Sequence, residues 1–317
     1  MSVMVEAGSV MTVLGPVPGD ELGFILPHEH LYCKLRQAPH RYDGADSFDD
    51  DDVVADEVSA YAELGGTTMV DLSVPNIGRS PERVKALSER TGVKIVMGCG
   101  WYRGNYYLPE ERIDRRSVED LADELIGELT DGVGDTGIKP GVIGEIGSEK
   151  TWVTGAEERV LRAVARAHLA TGTAIGALHA IGPDIAPAQL TILEHEGVDM
   201  SRVAVAHSES YPHRAHLQGL MDRGAYIQFD NCGQFTGLGQ FENQILDLIR
   251  DLIDAGYENQ IMLSHDTCKF PQFRIHGGPG FVYLLESFLP ALAERDIPES
   301  VLTAMTNDNP RRWLTGQ

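Results

Sequence analysis

Apolar residues recur along this chain in short runs rich in valine, isoleucine and threonine, separated by longer stretches with a helical period of polar and apolar positions. A run of four to eight such residues is typical of a strand that is buried on both faces. Eight runs of this kind occur, at residues 24–30, 67–74, 94–100, 141–147, 173–180, 202–209, 225–231 and 260–266. The pattern predicts strands and helices in regular alternation.

The segments between the runs carry the signals that start and stop helices. Three starts are visible as a serine before proline or as capping-box spacings, at Ser80 with Pro81, Ser117 with Asp120, and Thr154 with Glu157. Five predicted helices close on glycine, at Gly65, Gly172, Gly197, Gly224 and Gly256. We interpret the acidic run at residues 49–52 as a helix N-terminus, where negative charge complements the dipole, rather than as a cation site.

Eight buried strands alternating with helices indicate a parallel sheet that is covered on its outside, and eight such units close into a TIM (β/α)8 barrel. The chain of 317 residues suits one barrel domain over residues 1–317 with elaborated loops. A doubly wound open sheet is the alternative architecture. Residues 10–23 carry Gly-Pro and Pro-Gly-Asp turn signals, which predict a short N-terminal β-hairpin at the bottom of the barrel.

Charge and composition narrow the class of protein. The 48 acidic and 26 basic residues give a formal net charge of −22, which disfavours nucleic acid and anionic lipid as partners. Residues 1–6 lack the features of a signal peptide, and no apolar run reaches the length of a membrane span, so we expect a cytoplasmic protein. The scattered cysteines, Cys33, Cys99, Cys232 and Cys268, form no C-x-x-C pair and are expected to be reduced.

Six residues with metal-binding side chains stand at the carboxyl ends of the predicted strands: His28, His30, Glu145, His179, His207 and Asp266. In barrels of this type the active site lies at that end. Because successive strand side chains point to opposite faces, His28 and His30 share one face while Glu29 points away. The sequence therefore predicts a single metal site assembled from residues far apart in the chain.

Three of these residues also have a simpler interpretation. The carboxylate of Glu145, in an otherwise apolar run, needs a cation, but that cation could be an arginine or lysine of a neighbouring strand. His179 or His207 alone could be a core histidine that is hydrogen-bonded to the backbone. The occurrence of all six at the same end of their runs favours the metal interpretation.

Four histidines and two carboxylates suit borderline divalent ions, with zinc first and manganese, cobalt or iron as alternatives, better than calcium. Two such ions about 3.5 to 4 Å apart could share Glu145 and a hydroxide. Asp266 could both bind one ion and take the proton of the water as general base.

The motifs together resemble the phosphotriesterase-related family of the amidohydrolase superfamily. The resemblance rests on the Pro-His-Glu-His-Leu motif at residues 27–31 and on residues 140–147, 263–266 and 309–314. It implies a barrel in which the six residues above hold two metal ions, with Glu145 as the bridging ligand.

Two departures from the founding phosphotriesterases matter. Those enzymes bridge the metals with a carboxylated lysine, whereas this chain has Gly144 and Glu145, as in the bridging-glutamate subgroup. They also continue a proton relay with histidine after the seventh strand, where this chain has Asp230 and Asn231. Phosphotriester hydrolysis is therefore not expected as the main activity.

The resemblance also implies candidate substrate-binding residues. Lys269 and Arg274 could hold an anionic group, or they could be surface charges that pack a lid. Trp101, Tyr102 and Arg103 could wall the pocket or simply pack their loop. Asp230 could orient the substrate or a metal ligand, or bind a neighbouring backbone amide.

These features predict a binuclear metal-dependent hydrolase that opens a small lactone, including an anionic or phosphorylated sugar lactone, or cleaves a carboxylic ester with metal-bound hydroxide. One alternative is an amide or N-acyl hydrolase that uses the same site. Another is a catalytically silent barrel that acts as a binding protein. Barrels of this kind often pair, so a homodimer is expected.

Overall fold

The computed structural model describes residues 6–35, 47–180, 182–234 and 239–317. Residues 1–5, on which part of the signal-peptide expectation rests, lie outside this set. Thirteen strands are assigned within it: β1 (Ser9–Thr12), β2 (Gly15–Pro18), β3 (Phe24–Glu29), β4 (Cys33–Lys34), β5 (Ser47–Phe48), β6 (Gly66–Asp71), β7 (Lys94–Cys99), β8 (Val142–Ile143), β9 (Ile146–Gly147), β10 (Ile175–His179), β11 (Val203–Val205), β12 (Tyr226–Phe229) and β13 (Ile261–Leu263).

The eight predicted runs form a parallel sheet in the order β13-β12-β11-β10-β8-β7-β6-β3, with β9 paired to β10. Side-chain and loop contacts join the two ends of this sheet, because the His28 N–H donates to Ser264 Oγ (3.1 Å) and the Asp266 N–H donates to His28 O (3.1 Å). The sheet is thus a nearly closed barrel, as predicted, and the open-sheet alternative is wrong.

Helices cover the outside of this barrel. The α-helices among the described residues are α1 (Asp51–Glu63), α2 (Pro81–Thr91), α3 (Val118–Asp131), α4 (Gly155–Thr171), α5 (Ile185–Glu196), α6 (Arg214–Met221), α7 (Gln240–Asp254), α8 (Leu289–Ala293), α9 (Glu299–Thr303) and α10 (Asn309–Thr315). Two π-helical segments, Leu284–Phe288 and Ala304–Asp308, precede α8 and α10.

The predicted helix starts are confirmed. Ser117 and Thr154 each form a capping box with the acidic residue three positions later. Ser80 precedes α2 without a side-chain cap. In the acidic run, Asp50 accepts hydrogen bonds from the backbone of Asp52 and Val53, so the run opens α1 as predicted.

The barrel interior combines alanines with larger apolar side chains, and α10 closes its N-terminal end. Ala174, Ala177, Ala204 and Ala206 belong to the buried interior cluster, and the fully buried Trp313 of α10 reaches into it. The indole N–H of Trp313 donates to Ile175 O (3.0 Å). This packing closes the N-terminal end of the barrel and leaves the carboxyl ends of the strands for a site.

The predicted N-terminal hairpin is also present. Strands β1 and β2 pair antiparallel, with Ser9 opposite Pro18. The Val13 N–H donates to Ile95 O (2.9 Å), which attaches the hairpin to β7.

Among the described residues no helix is long and apolar enough to span a membrane. The four cysteines are free thiols.

The strands are shorter than the apolar runs, and the run at residues 141–147 is broken between β8 and β9. Glu145 lies in this break and not inside a strand, which corrects the prediction. Its N–H donates to Leu72 O (3.3 Å), so the backbone turns across the barrel here. Gly144 permits the turn because a Cβ at this position would lie 2.1 Å from Gly176 O.

Candidate metal centre

The six predicted ligands meet at the carboxyl ends of the barrel strands. They form three overlapping groups whose ligand atoms lie within 4.8 Å of one another: His28, His207 and Asp266; His28, His30 and Glu145; and Glu145, His179 and His207. All are buried except Asp266, whose side chain is 13% exposed. The fold therefore brings together residues separated by more than two hundred positions, as the sequence predicted.

Glu145 lies between two sets of histidines. Its Oε1 is 3.0 Å from His179 Nδ1 and 3.2 Å from His207 Nε2. Its Oε2 is 3.7 Å from His30 Nε2. A carboxylate placed in this way can offer one oxygen to each of two ions.

Asp266 approaches the cluster from the other side. Its Oδ1 is 3.2 Å from His30 Nε2 and 3.6 Å from His28 Nε2. Asp266 follows β13 in a left-handed conformation, with φ of 48°. Its partial exposure leaves this carboxylate open to the cavity above the cluster.

The rings of three histidines are oriented by contacts at their outer nitrogen. Asp230 accepts from His28 Nδ1 (2.8 Å) through one oxygen and from His207 Nδ1 (2.9 Å) through the other. Ser73 Oγ lies 3.1 Å from His30 Nδ1. These contacts leave Nε2 of each ring facing the cluster, which is the arrangement that metal-ligating histidines use. Asp230 thus orients two candidate ligands, one of its predicted alternatives, whereas its contact with substrate stays a prediction.

The carboxylates control the protonation of the histidines. Burial lowers the pKa of His28. The hydrogen bond and charge of Asp230 and the negative charges of Asp266 and Glu145 outweigh this effect and raise the pKa to about 9. For Asp230, burial raises the pKa, but the charges and hydrogen bonds of His207 and His28 hold it below its ordinary value. Burial and the charge on neighbouring His207 instead lower the pKa of His179 to about 4.

Metal affinity is expected to fall as the pH drops below about 9, because an ion must then displace a proton from His28. The apparent affinity should fall about tenfold per pH unit for each displaced proton. His207, whose pKa is also raised, adds to this slope, whereas His179 adds nothing above pH 5. Zn²⁺ titrations against a competing chelator between pH 6.5 and 9.5 measure the slope, and an affinity independent of pH would contradict the expectation.

The cluster fits a metal ion better than it fits an ion pair with arginine or lysine, or a set of core histidines bonded to the backbone. Within the described part of the chain, Nε2 of buried His28 has no hydrogen-bond partner. Glu145 forms ion pairs with His30, His179 and His207, and among these described contacts none involves arginine or lysine. A core histidine does exist in His168, whose Nδ1 contacts Thr173 O (2.7 Å), but the cluster histidines contact other side chains.

Two of the predicted pocket residues contact the cluster. Tyr102 Oη lies 3.2 Å from His179 Nδ1, and Arg103 Nη1 lies 3.2 Å from His179 Nε2. Arg103 Nε is also 3.2 Å from Glu149 Oε2, and its guanidinium covers the ring of Tyr102. Trp101 is buried next to them, with Arg116 over its ring.

The two cations predicted to bind an anionic group lie further out. Lys269 and Arg274 are both exposed, on the loop that follows β13. The backbone N–H and the Nε of Arg274 donate to Glu57, at 2.8 and 3.2 Å. This ion pair neutralises much of the charge of Arg274, and contact of either residue with substrate stays a prediction.

A cavity of about 170 Å³ opens above the cluster. It is lined by His30, Leu35, Ile77, Tyr102, Glu145, His179, His207, Ser210, Asn231, Asp266 and Cys268. A larger cavity of about 260 Å³ lies at the other end of the barrel, where Arg202 donates to the backbone carbonyls of Gly172, Trp313 and Leu314. Of these two cavities, and among the described residues, only the first is lined by candidate ligands.

Apart from Asp230, sequence reasoning missed the residues that hold the candidate ligands in place. Ser73, which contacts His30, is a common residue in an apolar run and gives no signal of its own. Glu29 and His265 are also fully buried and pair with each other at 2.8 Å. Their signal was present, since each is an ionisable residue in a run that otherwise reads as buried.

Comparison with known proteins identifies the family. The model of the phosphotriesterase family matches residues 8–314. The phosphotriesterase homology protein of Escherichia coli (strain K12) is 29% identical over 93% of this chain and 99% of that protein, and its structure, crystallised with phosphate in its active site, superposes with a TM-score of 0.86.

Two further relatives are named for their activities. The N-acetyltaurine hydrolase of Danio rerio is 29% identical over 97% of this chain and 98% of that protein. A lactonase from Listeria monocytogenes is 25% identical, with a TM-score of 0.89 over 98% of this chain and 99% of the other. The resemblance inferred from the motifs is confirmed, and the chain belongs to the phosphotriesterase family of hydrolases.

Proposed function

We propose that the protein is a binuclear metal-dependent hydrolase that opens a small lactone or cleaves a small carboxylic ester. The observation that carries this proposal is the position of Glu145, with one oxygen toward His179 and His207 and the other toward His30. The cavity of about 170 Å³ suits a small substrate. The relative from Listeria monocytogenes, a lactonase by name, supports the lactone.

The donor set divides into two ion sites. From the contacts of Asp266 with His28 and His30, and of Glu145 with His179 and His207, we assign His28, His30 and Asp266 to one ion and His179 and His207 to the other, with Glu145 shared. When bound, two divalent transition ions would supply an acidified water and a Lewis acid for the carbonyl. The mixture of imidazole and carboxylate suits Zn²⁺ first, and Mn²⁺, Co²⁺ or Fe²⁺ as alternatives.

Asp266 has the position of the proton carrier. Its carboxylate borders the cavity and lies beside His30 and His28. We infer that Oδ1 or Oδ2 of Asp266 accepts the proton of the attacking water and returns it to the leaving group. A lactone or ester releases an alcohol oxygen, which needs this proton less than an amine nitrogen does.

An N-acyl amide is the second candidate substrate. Its support is the relatedness to a protein named N-acetyltaurine hydrolase, along nearly the full length of both chains. Arg103, which lies beside His179 and is paired with Glu149, would offer its remaining N–H groups to an anionic group near the carbonyl of either substrate class.

A paired substrate panel tests the proposal. Protein of measured metal content is assayed with lactone, ester and N-acyl forms of the same acyl group, each with and without a carboxylate or sulfonate. Turnover of the lactone or ester above the N-acyl form supports the main proposal, and the reverse order supports the second. Metal-loaded protein that binds these compounds without hydrolysing any of them would favour the silent binding barrel.

Arg103→Met is expected to raise KM for anionic substrates about 10- to 100-fold, since a hydrogen bond to a charged group contributes about 1.5–3 kcal/mol. The uncharged counterpart of each substrate should change little. Arg115→Met, at a guanidinium whose side chain is 70% exposed, is the matched control and should alter neither value. Equal changes in KM for charged and uncharged substrates would contradict an anion-binding role for Arg103.

A further inference from the structure

Glu29 carries a fully buried carboxylate on the face of β3 opposite to His28 and His30. The loop after β13 satisfies this charge. Oε1 of Glu29 accepts from the backbone N–H of His265 (2.9 Å) and from His265 Nδ1 (2.8 Å), and Oε2 accepts from the backbone N–H of Thr267 (3.1 Å). Ser264 Oγ lies 2.8 Å from Oε1. One carboxylate therefore holds residues on both sides of Asp266.

This arrangement explains the conformation of Asp266. Aspartate enters the left-handed region more readily than most non-glycine residues, but φ of 48° is still sparsely populated, and hydrogen bonds of the adjacent residues favour it here. Each oxygen of Glu29 binds the N–H of one neighbour of Asp266, and the N–H of Asp266 itself donates to His28 O. With its backbone held in this way, Asp266 directs its side chain toward His30 and the cavity.

The ring of His265 is held from both sides. The backbone N–H of Leu284 donates to its Nε2 (2.9 Å), so the ring hydrogen resides on Nδ1 and is donated to Glu29. Leu284 begins the π-helical segment that packs beside the loop. The position of Glu29 thus depends on groups outside the ligand cluster, and none of its oxygens is free to serve as a ligand itself.

We propose that Glu29 is a positioning residue that sets the backbone of Asp266 and thereby its geometry as a metal ligand and proton carrier. The inference rests on the proposed function, because it assumes those two roles for Asp266. The middle residue of the His-Glu-His motif then differs in role from its neighbours. His28 and His30 face the candidate metal centre, whereas Glu29 fixes the backbone around Asp266.

A double-mutant cycle with Co²⁺ tests this inference. Metal-free parent, Glu29→Gln, Asp266→Ala and the double variant are titrated with Co²⁺ alone, and the affinities and the visible absorption of bound Co²⁺ are recorded. Glu29→Gln is expected to weaken the ion at His28 and His30 about 10- to 100-fold and to change its spectrum. In the Asp266→Ala background, where residue 266 offers no ligand atom to be positioned, the same substitution should add less than about twofold. For the preferred substrate, kcat should fall while KM stays within about twofold.

Two further variants make the result specific. Glu157→Gln alters another buried carboxylate that accepts backbone N–H groups, from Glu149 (2.7 Å) and Thr154 (2.8 Å), and should leave both Co²⁺ affinities unchanged. His265→Gln removes the ring contact and keeps Glu29. It is expected to lower the Co²⁺ affinity in the same direction as Glu29→Gln but by less, and it provides the test if Glu29→Gln does not fold.

The outcomes separate the inference from the function on which it rests. Two bound ions whose affinities do not respond to Glu29→Gln, or respond equally in the parent and Asp266→Ala backgrounds, would overturn the inference alone. A parent protein that binds no Co²⁺ would overturn the proposed function and this inference with it.

Discussion

Glu145→Ala should lower the metal content from about two ions per chain to one or none and should abolish measurable turnover. In the proposed site this carboxylate would be shared by both ligand sets, and its removal would leave three or fewer protein donors for either ion. A rate loss of at least about 10⁴-fold is expected, because the Lewis acid and the acidified water would be lost together. Elemental analysis of protein purified without chelator measures the first effect and also identifies the ion.

The control for Glu145→Ala is Glu157→Ala, which removes a different buried carboxylate from the same end of the barrel. Its metal content should equal that of the parent, although its α4 cap and its stability are weakened. Two ions retained in Glu145→Ala would show that the histidines and Asp266 suffice, and Glu145 would then not be a bridging ligand.

Asp266→Asn should reduce kcat about 10²- to 10⁴-fold, the usual contribution of a positioned general base, while most of the metal is retained. Asparagine keeps one oxygen that can face the ion and tolerates the left-handed backbone of this position, so the variant removes mainly the proton acceptor. Steady-state kinetics with metal content measured on the same sample separates loss of chemistry from loss of metal.

Asp230→Asn provides the contrast to Asp266→Asn. It disturbs the contacts that orient His28 and His207, so it should weaken metal affinity about 10- to 100-fold and regain turnover in excess metal. Asp266→Asn should not regain turnover in this way. Full activity of Asp266→Asn with bound metal would remove Asp266 from the proton-transfer step and assign that step to another group.

Much of the barrel could be predicted because its signals are local. The runs that became β3, β6 and β7 each contain consecutive apolar residues, at 24–26, 69–70 and 95–97, since their strands are covered on both faces. The capping boxes of α3 and α4 likewise depend on residues only three positions apart. The exact strand ends could not be predicted. The break between β8 and β9, where Glu145 lies, depends on a close approach between Gly144 and Gly176, and no local sequence pattern shows that approach.

The candidate site was only partly predictable. The six metal-binding side chains were visible because each follows an apolar run, and the barrel topology alone brings such ends together. Their role as ligands stays a prediction that the Glu145 and Asp266 variants test. The contact of Arg103 with His179 and the pairing of Arg274 with Glu57 were not visible, because side chains on long loops are placed by tertiary packing.

The sequence by itself determined the barrel of alternating strands and helices. It also determined which side chains could form the metal centre, namely four histidines and two carboxylates at the carboxyl ends of the strands. Only the tertiary structure decided how they are held. The oxygens of Glu145 are divided between two sets of histidines, Asp230 orients two rings, and Glu29 secures both neighbours of Asp266. The physical reason is that a buried polar group forms hydrogen bonds with the groups that folding brings within about 3 Å of it. Here those groups come from distant parts of the sequence.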